Sequence, residues 1–563
     1  MAWDANIQRI EAALEAARQA NAAIVCLPEL CITGYGCEDM FFSSGVQQAA
    51  LDLLPALAAR TGGLIACFGL PVTHDGRLYN TAAVACNGRL LGLVAKQHLA
   101  GDGIHYEPRW FHRWPAGEVG TLEIVGRAYP IGDLLFDCGG VRIGLEICRD
   151  AWVSDRTGAR LAQRGADVIL NPSASHFAFA KQQIRERLVL EGSRNFCVSY
   201  AYANMLGNEA GRSIYDGGTL IASGGEMLVR GPRFSFGDWV LTSAEVDVAA
   251  TRRARAESAA ERPALAADDE PGLVVSEFRF PDIAAPMPGK PVAGGGKRSD
   301  REFSARSSVL SSGGDVPGHP AWETGPHQKE EEFARAVALG LFDYLRKSGA
   351  NGIVLSLSGG ADSSAVATLV YLMVRLGEGE LGRRLYATRA GAGLSQRDAG
   401  SCPLTCVYQY TRNSSAETLA AARTVAQAVG AEFLQWSVDD LVDDYVATVS
   451  AAVGRRLDWQ QDDLALQNIQ ARARAPGAWL LANLRGALLV ATSNRSEAAV
   501  GYATMDGDTC GGLAPIAGID KAFLLDWLKW METTGPDGIG PLPALAVVNR
   551  QSPSAELRPA SAR

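Results

Sequence analysis

Two stretches of the chain combine residue types that could do chemistry. The first is Ser356-Leu357-Ser358-Gly359-Gly360-Ala361-Asp362-Ser363-Ser364. Hydroxyls and glycines at the start of a helix offer N–H groups where an anion binds well, and glycine lets the backbone approach a pyrophosphate closely. The run is not a Walker A loop, because no Lys-Ser or Lys-Thr follows the second glycine. A Ser/Gly turn that only caps a helix is the alternative. The second stretch is Glu146-Ile147-Cys148-Arg149-Asp150-Ala151-Trp152. A thiol at a strand end, facing a turn or helix start, can have its pKa lowered and act as a nucleophile. Upstream, Glu29 lies in Leu27-Pro28-Glu29-Leu30 and Lys96 in Val94-Ala95-Lys96-Gln97-His98-Leu99. Taken singly, a cysteine after a strand more often packs in a core, and a lone lysine is usually solvated.

The pattern around these residues predicts the elements that hold them. Residues 6–20 place Ile7, Ile10, Leu14 and Ala17 on one helical face, and residues 22–27 read as a buried strand leading to Glu29. Residues 141–147 alternate, with Val141, Ile143, Leu145 and Ile147 on one side, and lead to Cys148. Residues 168–170 and 196–202 read as further strands. The pattern fades after about Val248, and residues 284–326 are rich in Gly, Pro and Ser. A second α/β pattern starts near Lys329, with a helix over 333–345, a strand over 353–357 and a helix over 364–374. The expected organisation is a first domain over 1–275, a linker over 276–327 and a second domain over 328–563.

Composition bounds the answer. A chain of 563 residues exceeds one ordinary core. Its 47% hydrophobic and 20% charged residues fit a globular protein. A net charge of −9 without a basic stripe argues against a nucleic-acid grip, while leaving room for a basic pocket around a dinucleotide. The 11 cysteines are odd in number and several lie in apolar runs, which points to reduced thiols and a cytoplasmic setting. No signal peptide and no apolar run of bilayer length is read, so no membrane partner is expected.

The order Glu29, Lys96, Cys148 in these contexts resembles the nitrilase/amidase superfamily. That resemblance implies an αββα sandwich in which Cys148 attacks an amide carbon, Glu29 moves protons and Lys96 stabilises the oxyanion. A second family glutamate matches Glu107 in Tyr106-Glu107-Pro108-Arg109-Trp110-Phe111. The segment Asn171-Pro172-Ser173-Ala174-Ser175-His176-Phe177, followed by Lys181, is similar to the loop that holds glutamine in ammonia-supplying members. By position, Ser175 and Lys181 take the α-amino and carboxylate ends, and Tyr106 is read with them as a glutamine contact.

The glycine-rich run resembles the Ser-Gly-Gly-x-Asp-Ser loop of ATP pyrophosphatases, which adenylate a carbonyl oxygen. The rest of the second half is similar to the NAD+ synthetase family in Tyr410-Thr411-Arg412-Asn413-Ser414-Ser415, in Gln467-Asn468-Ile469-Gln470-Ala471-Arg472-Ala473-Arg474 and in Thr492-Ser493-Asn494-Arg495-Ser496-Glu497. Gly501-Tyr502, Gly507-Asp508 and Gly511-Gly512-Leu513-Ala514-Pro515-Ile516 follow in the family's order. The resemblance implies a doubly wound parallel-sheet domain. In it Ser356, Leu357, Ser358, Gly359, Gly360, Ala361, Asp362, Ser363 and Thr492 contact ATP, and Asp362 and Glu497 share Mg2+. Asn468, Arg472, Glu497 and Asp508 face deamido-NAD+ (nicotinic acid adenine dinucleotide), and Lys521 is a weaker candidate. Gln467 stands where the family often has Glu, which argues against a direct metal or ribose contact there.

An amidase joined to an ATP pyrophosphatase implies amidation with ammonia from glutamine. GMP and asparagine synthetases follow the same logic with other glutaminase folds. The expected enzyme is a carbon–nitrogen ligase that turns deamido-NAD+ into NAD+ through an adenylate, yielding AMP, pyrophosphate and glutamate. Its partners are glutamine, ATP, deamido-NAD+ and a second copy paired through the synthetase domain. Family members begin with a strand before the Trp3-Asp4 segment and continue beyond Glu556-Leu557-Arg558-Pro559, so the second domain reads as truncated. Two alternatives follow: an amidase with an impaired synthetase domain, and a non-catalytic nucleotide-binding scaffold.

Overall fold

Side-chain alternation builds the first half of the protein. The strand Ile65–His74 turns Ala66, Phe68, Leu70 and Val72 to one side and Ile65 and Cys67 to the other. The first set packs under the helices Trp3–Gln19 and Ser44–Ala59, through Ile10, Leu14, Leu54 and Leu57. The second set faces Phe136, Ile143, Leu145, Val168 and Leu170 of another sheet. Successive side chains on a strand point to opposite faces, so one strand serves two cores. In this computed structural model the described residues are 2–209, 211–258, 271–281, 307–311, 314–315, 320–390, 402–551 and 556–558. They divide into two compact units, Met1–Pro320 and Ala321–Arg563.

The first unit is an αββα sandwich. Its six-stranded sheet runs Ile24–Cys26, Ile65–His74, Arg77–Cys86, Arg89–Ala95, Arg127–Gly132, Val119–Ile124 in spatial order. Its seven-stranded sheet runs Glu226–Arg230, Thr219–Ser223, Ser199–Asn204, Val168–Ser173, Val141–Leu145, Leu135–Cys138, Leu273–Ser276. The helix Lys181–Phe196 covers the outer face of that second sheet, with Val189 against Ile169, Tyr200 and Leu220. The segment 196–202, expected to be all strand, is split. The helix runs to Phe196, Cys197 takes φ +51 to end it, and the strand starts at Ser199.

Most of the stretch expected as linker, Gly294-Gly295-Gly296 included, lies outside the described residues. Within that stretch Ser307–Ser311 pairs antiparallel with Val240–Ala244, inside the first unit. Of the run 553–559, only 556–558 are described.

The second unit has a four-stranded parallel sheet in the order Glu432–Ser437, Leu404–Tyr410, Ile353–Ser356, Leu488–Val490. Ala478 and Ala482 of the helix Asp463–Arg485 pack on Val354, Val407 and Leu489 of that sheet. The first three strands add in one direction and the fourth joins on the opposite side of Ile353–Ser356. Such a reversal opens a crevice at the strands' carboxyl ends, the usual ligand position in this architecture. Among the described residues no helix is long and apolar enough to cross a membrane.

Candidate functional site

The first site lies where both sheets of the sandwich end. Glu29 follows the strand Ile24–Cys26 on a loop that crosses Gly69 so closely that a Cβ there would sit 2.1 Å from Leu30 N. Only glycine permits that approach. Lys96 directly follows the strand Arg89–Ala95, and Glu107 opens the short helix Glu107–Trp110. All three side chains are buried. Lys96 Nζ donates to Glu29 Oε1 at 2.5 Å and to Glu107 Oε1 at 2.7 Å. Asn80 Nδ2 donates to Glu29 Oε1 at 2.8 Å and Ala174 N to Glu29 Oε2 at 2.9 Å. Ala100 N donates to Glu107 Oε2 at 2.9 Å.

Cys148 is three residues beyond its strand, at the start of the 3-10 turn Cys148–Ala151, with φ +46. A left-handed non-glycine residue is strained, and the strain aims the thiol. Buried Asp150 fixes that turn to the end of the lysine strand. It accepts from Ile147 N at 3.1 Å, His98 N at 2.7 Å and Gln97 N at 3.1 Å.

The electrostatics correct one expectation. The Cys148 thiol is not lowered; burial, then the Glu29 carboxylate, push it up to about 12 against the pull of Lys96. Burial raises Glu29 as well, opposed by Lys96. Burial alone would lower Lys96, but Glu107 and Glu29 more than reverse that and keep it an ammonium. The resting state is therefore a neutral thiol beside a charged lysine and a carboxylate of raised basicity. A positioned carboxylate of raised pKa is what general-base chemistry on a thiol requires.

The expected glutamine contacts divide. Ser175 is buried and the Lys181 ammonium interacts with Cys148 by charge, whereas Tyr106 is 63% exposed. Arg185 donates to the Ser175 Oγ at 3.2 Å and to the Ser175 carbonyl at 2.7 Å. Arg185 in turn pairs with buried Asp216. Burial, then Arg185, lower Lys181 to about 8. Several members of this network escaped the sequence reading: Tyr35, Asn80, His105, Asp150, His176, Arg185 and Asp216. The available signals were weak. His105 lies two residues before Glu107, His176 follows Ser175, and Arg185 lies one helical turn after Lys181.

In the second unit the glycine-rich run occupies the reversal crevice. Gly359 has φ +82, and a Cβ there would sit 2.2 Å from Thr418 O. Ser363 Oγ accepts from Ser358 N at 3.2 Å and lies 3.1 Å from Ser358 Oγ, which folds the loop onto the first turn of the helix Ala361–Leu381. Leu357 is buried, and its N–H is taken by Val407 O, so it offers a ligand little beyond its carbonyl. Ser356 Oγ donates to Gln409 Oε1 at 3.2 Å.

Thr492 and Asn494 follow the fourth strand into the same crevice. Asn494 Nδ2 donates to Asp362 Oδ1 at 3.0 Å, and its Oδ1 accepts from Glu497 N at 3.0 Å. Lys521 pairs with the other Asp362 oxygen. Glu497 is raised by burial and then by the charge of Asp362. Two carboxylates that repel one another, half neutralised by one lysine, fit a hard divalent cation. Mg2+ commonly takes one or two carboxylates and completes its shell with phosphate and water. The remaining candidates gather on one loop: Asn468 Oδ1 accepts from Thr504 Oγ1, Asp508 Oδ1 accepts from Thr504 N, both at 3.0 Å, and Arg472 Nε donates to Met505 O at 3.0 Å.

Known proteins with these features divide along the same chain. Residues 1–256 match the carbon-nitrogen hydrolase family, and residues 333–562 match the NAD synthase family. A glutamine-dependent NAD(+) synthetase of Macaca fascicularis is 30% identical over 94% of this chain and 76% of its own length. One from Arabidopsis thaliana is 28% identical, over 99% and 78% respectively. The crystal structure of a glutamine-dependent NAD(+) synthetase from Cytophaga hutchinsonii superposes with a TM-score of 0.77 at 39% identity, covering 99% of this chain and 82% of that one.

Proposed function

The chain belongs to the glutamine-dependent NAD+ synthetase family, and on that premise we propose how its own residues divide the reaction. Cys148 attacks the glutamine carboxamide carbon while its proton passes to Glu29. Lys96 faces the oxygen that becomes negative. Glu29 returns the proton to the leaving nitrogen, ammonia departs, and a thioester remains on Cys148. Water, deprotonated by Glu29, then releases glutamate. Ser175 and Lys181 hold the amino-acid end of the substrate. The observation that carries this reading is the buried ammonium of Lys96 between Glu29 and Glu107 beside a strained cysteine, because so much buried charge is costly unless it serves chemistry.

In the second unit Ser358, Gly359, Gly360 and Ser363 cradle the ATP phosphates and Thr492 borders the nucleotide. The nicotinate carboxylate attacks the α-phosphorus, pyrophosphate leaves, ammonia attacks the adenylate carbonyl, and AMP departs. Asp362 and Glu497 would hold Mg2+ there, and the ion would neutralise phosphate charge. Asn468, Arg472 and Asp508 shape the deamido-NAD+ side. The working domains are 1–275 and 328–563. A cytoplasmic setting is supported by eleven free cysteines. Pairing of two copies through the second domain is supported by Leu441, Tyr445, Val449 and Val453, which line one face of the helix Asp439–Val453 and are each about half exposed.

Amide-15N glutamine supplies the test. The parent protein should transfer the label to NAD+. Cys148→Ala should transfer none, yet make NAD+ from free ammonium at the parental rate. Label transfer by the variant would remove Cys148 from its role.

A further inference from the structure

A chain of polar contacts links the catalytic lysine to Lys181. Glu107 Oε1, which accepts from Lys96, also accepts from the Tyr35 hydroxyl at 2.7 Å. The Tyr35 oxygen lies 3.1 Å from His105 Nδ1, and His105 Nε2 lies 2.9 Å from His176 Nδ1. Lys181 Nζ lies 3.4 Å from that same His176 nitrogen.

Proton supply along this chain is limited. A tyrosine hydroxyl and a neutral imidazole carry one each, an ammonium only donates and a carboxylate only accepts. Burial, followed by the Lys181 ammonium, lowers His105 to about 4 and His176 to about 3, so both rings are neutral. Asp102, Arg149 and Lys96 also act on His105, and Arg185 and Asp216 on His176.

Two proton arrangements satisfy the chain. In one, Tyr35 donates to Glu107, His105 donates from Nδ1 to Tyr35, and His176 donates from Nδ1 to His105. His176 Nδ1 then has no lone pair for Lys181, whose ammonium is left for an external anion. In the other, His176 Nδ1 keeps its single lone pair, which Lys181 and the Nε2–H of His105 share, and Tyr35 donates to His105 Nδ1. Glu107 then loses the hydroxyl. Passing between them moves each ring's proton from one nitrogen to the other by exchange with water. One N–H bond breaks and one forms per ring, and the net proton count is unchanged.

We propose that this chain is a hydrogen-bond switch: a substrate carboxylate that draws Lys181 off His176 turns the Tyr35 hydroxyl onto Glu107 and frees Lys96 for the oxyanion. A carboxylate already satisfied by a hydroxyl competes less for the lysine. His105, His176 and Tyr35 are positioning residues, and the α-carboxylate of glutamine acts on turnover as well as on binding. This rests on the glutaminase reading above.

The test compares glutamine with 4-aminobutanamide, which is glutamine without its carboxylate. In the parent protein kcat for glutamine should exceed kcat for 4-aminobutanamide. In His105→Phe that ratio should fall by about tenfold or more, the worth of one hydrogen bond to a charged group. The KM for glutamine should change little, because Lys181 is intact. A packing role for His105 would slow both substrates equally and leave the ratio unchanged, which overturns the switch, as does a change confined to KM. Ammonium-driven NAD+ synthesis and thermal melting report folding. If His105→Phe fails them, Tyr35→Phe carries the same expectation. Persistent hydrolysis by Cys148→Ala would instead remove the glutaminase reading, so the two failures are distinguishable.

Discussion

Lys96→Met keeps a long apolar stem and deletes the charge, so it separates what the ammonium does from what its side chain fills. Two effects follow from its contacts at 2.5 and 2.7 Å with Glu29 and Glu107. The oxyanion loses its donor, and one such donor contributes ~2.7–4 kcal/mol, or about 10²–10³ in kcat. Two buried carboxylates also lose the cation between them. Breaking a buried ion pair costs ~3–5 kcal/mol when the remaining charge stays ionised. Proton uptake relieves part of that cost. Burial already raises Glu29 above its ordinary 4.5 and Lys96 opposes the rise, so its removal lets the value climb further.

A carboxyl with a raised folded pKa binds its proton more tightly when folded. Its stability contribution is complete below the unfolded value and is lost as pH rises through the folded one. The melting deficit of the variant should therefore be larger at alkaline pH, where Glu29 is ionised, than at acid pH, where it is protonated. Glutamate release measures the first effect, paired thermal melts measure the second, and ammonium-driven NAD+ synthesis is the internal control. Glutamine hydrolysis within about tenfold of the parent, well short of the expected loss, would refute the oxyanion role. An equal melting deficit at both pH values would refute the charge argument.

Asp362→Asn removes one of the two facing carboxylates; the Mg2+ needed for half-maximal pyrophosphate release should rise while glutamine hydrolysis continues. Gly359→Ala forces an L side chain into the left-handed region, worth ~1–2 kcal/mol, and drives its Cβ toward Thr418 O. ATP-dependent synthesis should fall steeply, whereas Gly360→Ala, whose nearest neighbour would be Ser358 Oγ at 3.4 Å, should retain most of it. Lys181 is lowered to about 8, so its ammonium is charged below that pH and lost above it. The KM for glutamine should climb as pH passes 8; Lys181→Met should raise it by about tenfold or more at neutral pH and flatten the climb.

What the sequence disclosed follows from range. Period 2 around Ile143 and Leu145 and period 3.6 around Ile10 and Leu14 are local, and the elements formed where those patterns lay. The glycine-rich loop was legible because its residues are contiguous. The split at Cys197 was not, because one left-handed residue interrupts an apolar run that reads as continuous. The raised thiol was not legible either, since it depends on burial and on the carboxylate of Glu29, more than a hundred positions away. Asp150 stands two residues after Cys148, and its work is to hold the backbone of Gln97 and His98. His105 and His176 are 71 positions apart, and no spacing announces that their rings meet.

Glu29, Lys96 and Glu107 come from the six-stranded sheet and its loops, and Cys148 from the seven-stranded one. The reactivity of the thiol is thus a property of the docked sandwich. An exposed cysteine has a pKa near 8.5, so a few per cent is thiolate at neutral pH and open to peroxide or alkylating agents. Pushed up by burial and by Glu29, the docked thiol is held protonated at neutral pH. A buried, protonated thiol reacts more slowly with peroxide than an exposed one does. Peroxide inactivation through Cys148 should therefore speed up under conditions that part the two sheets.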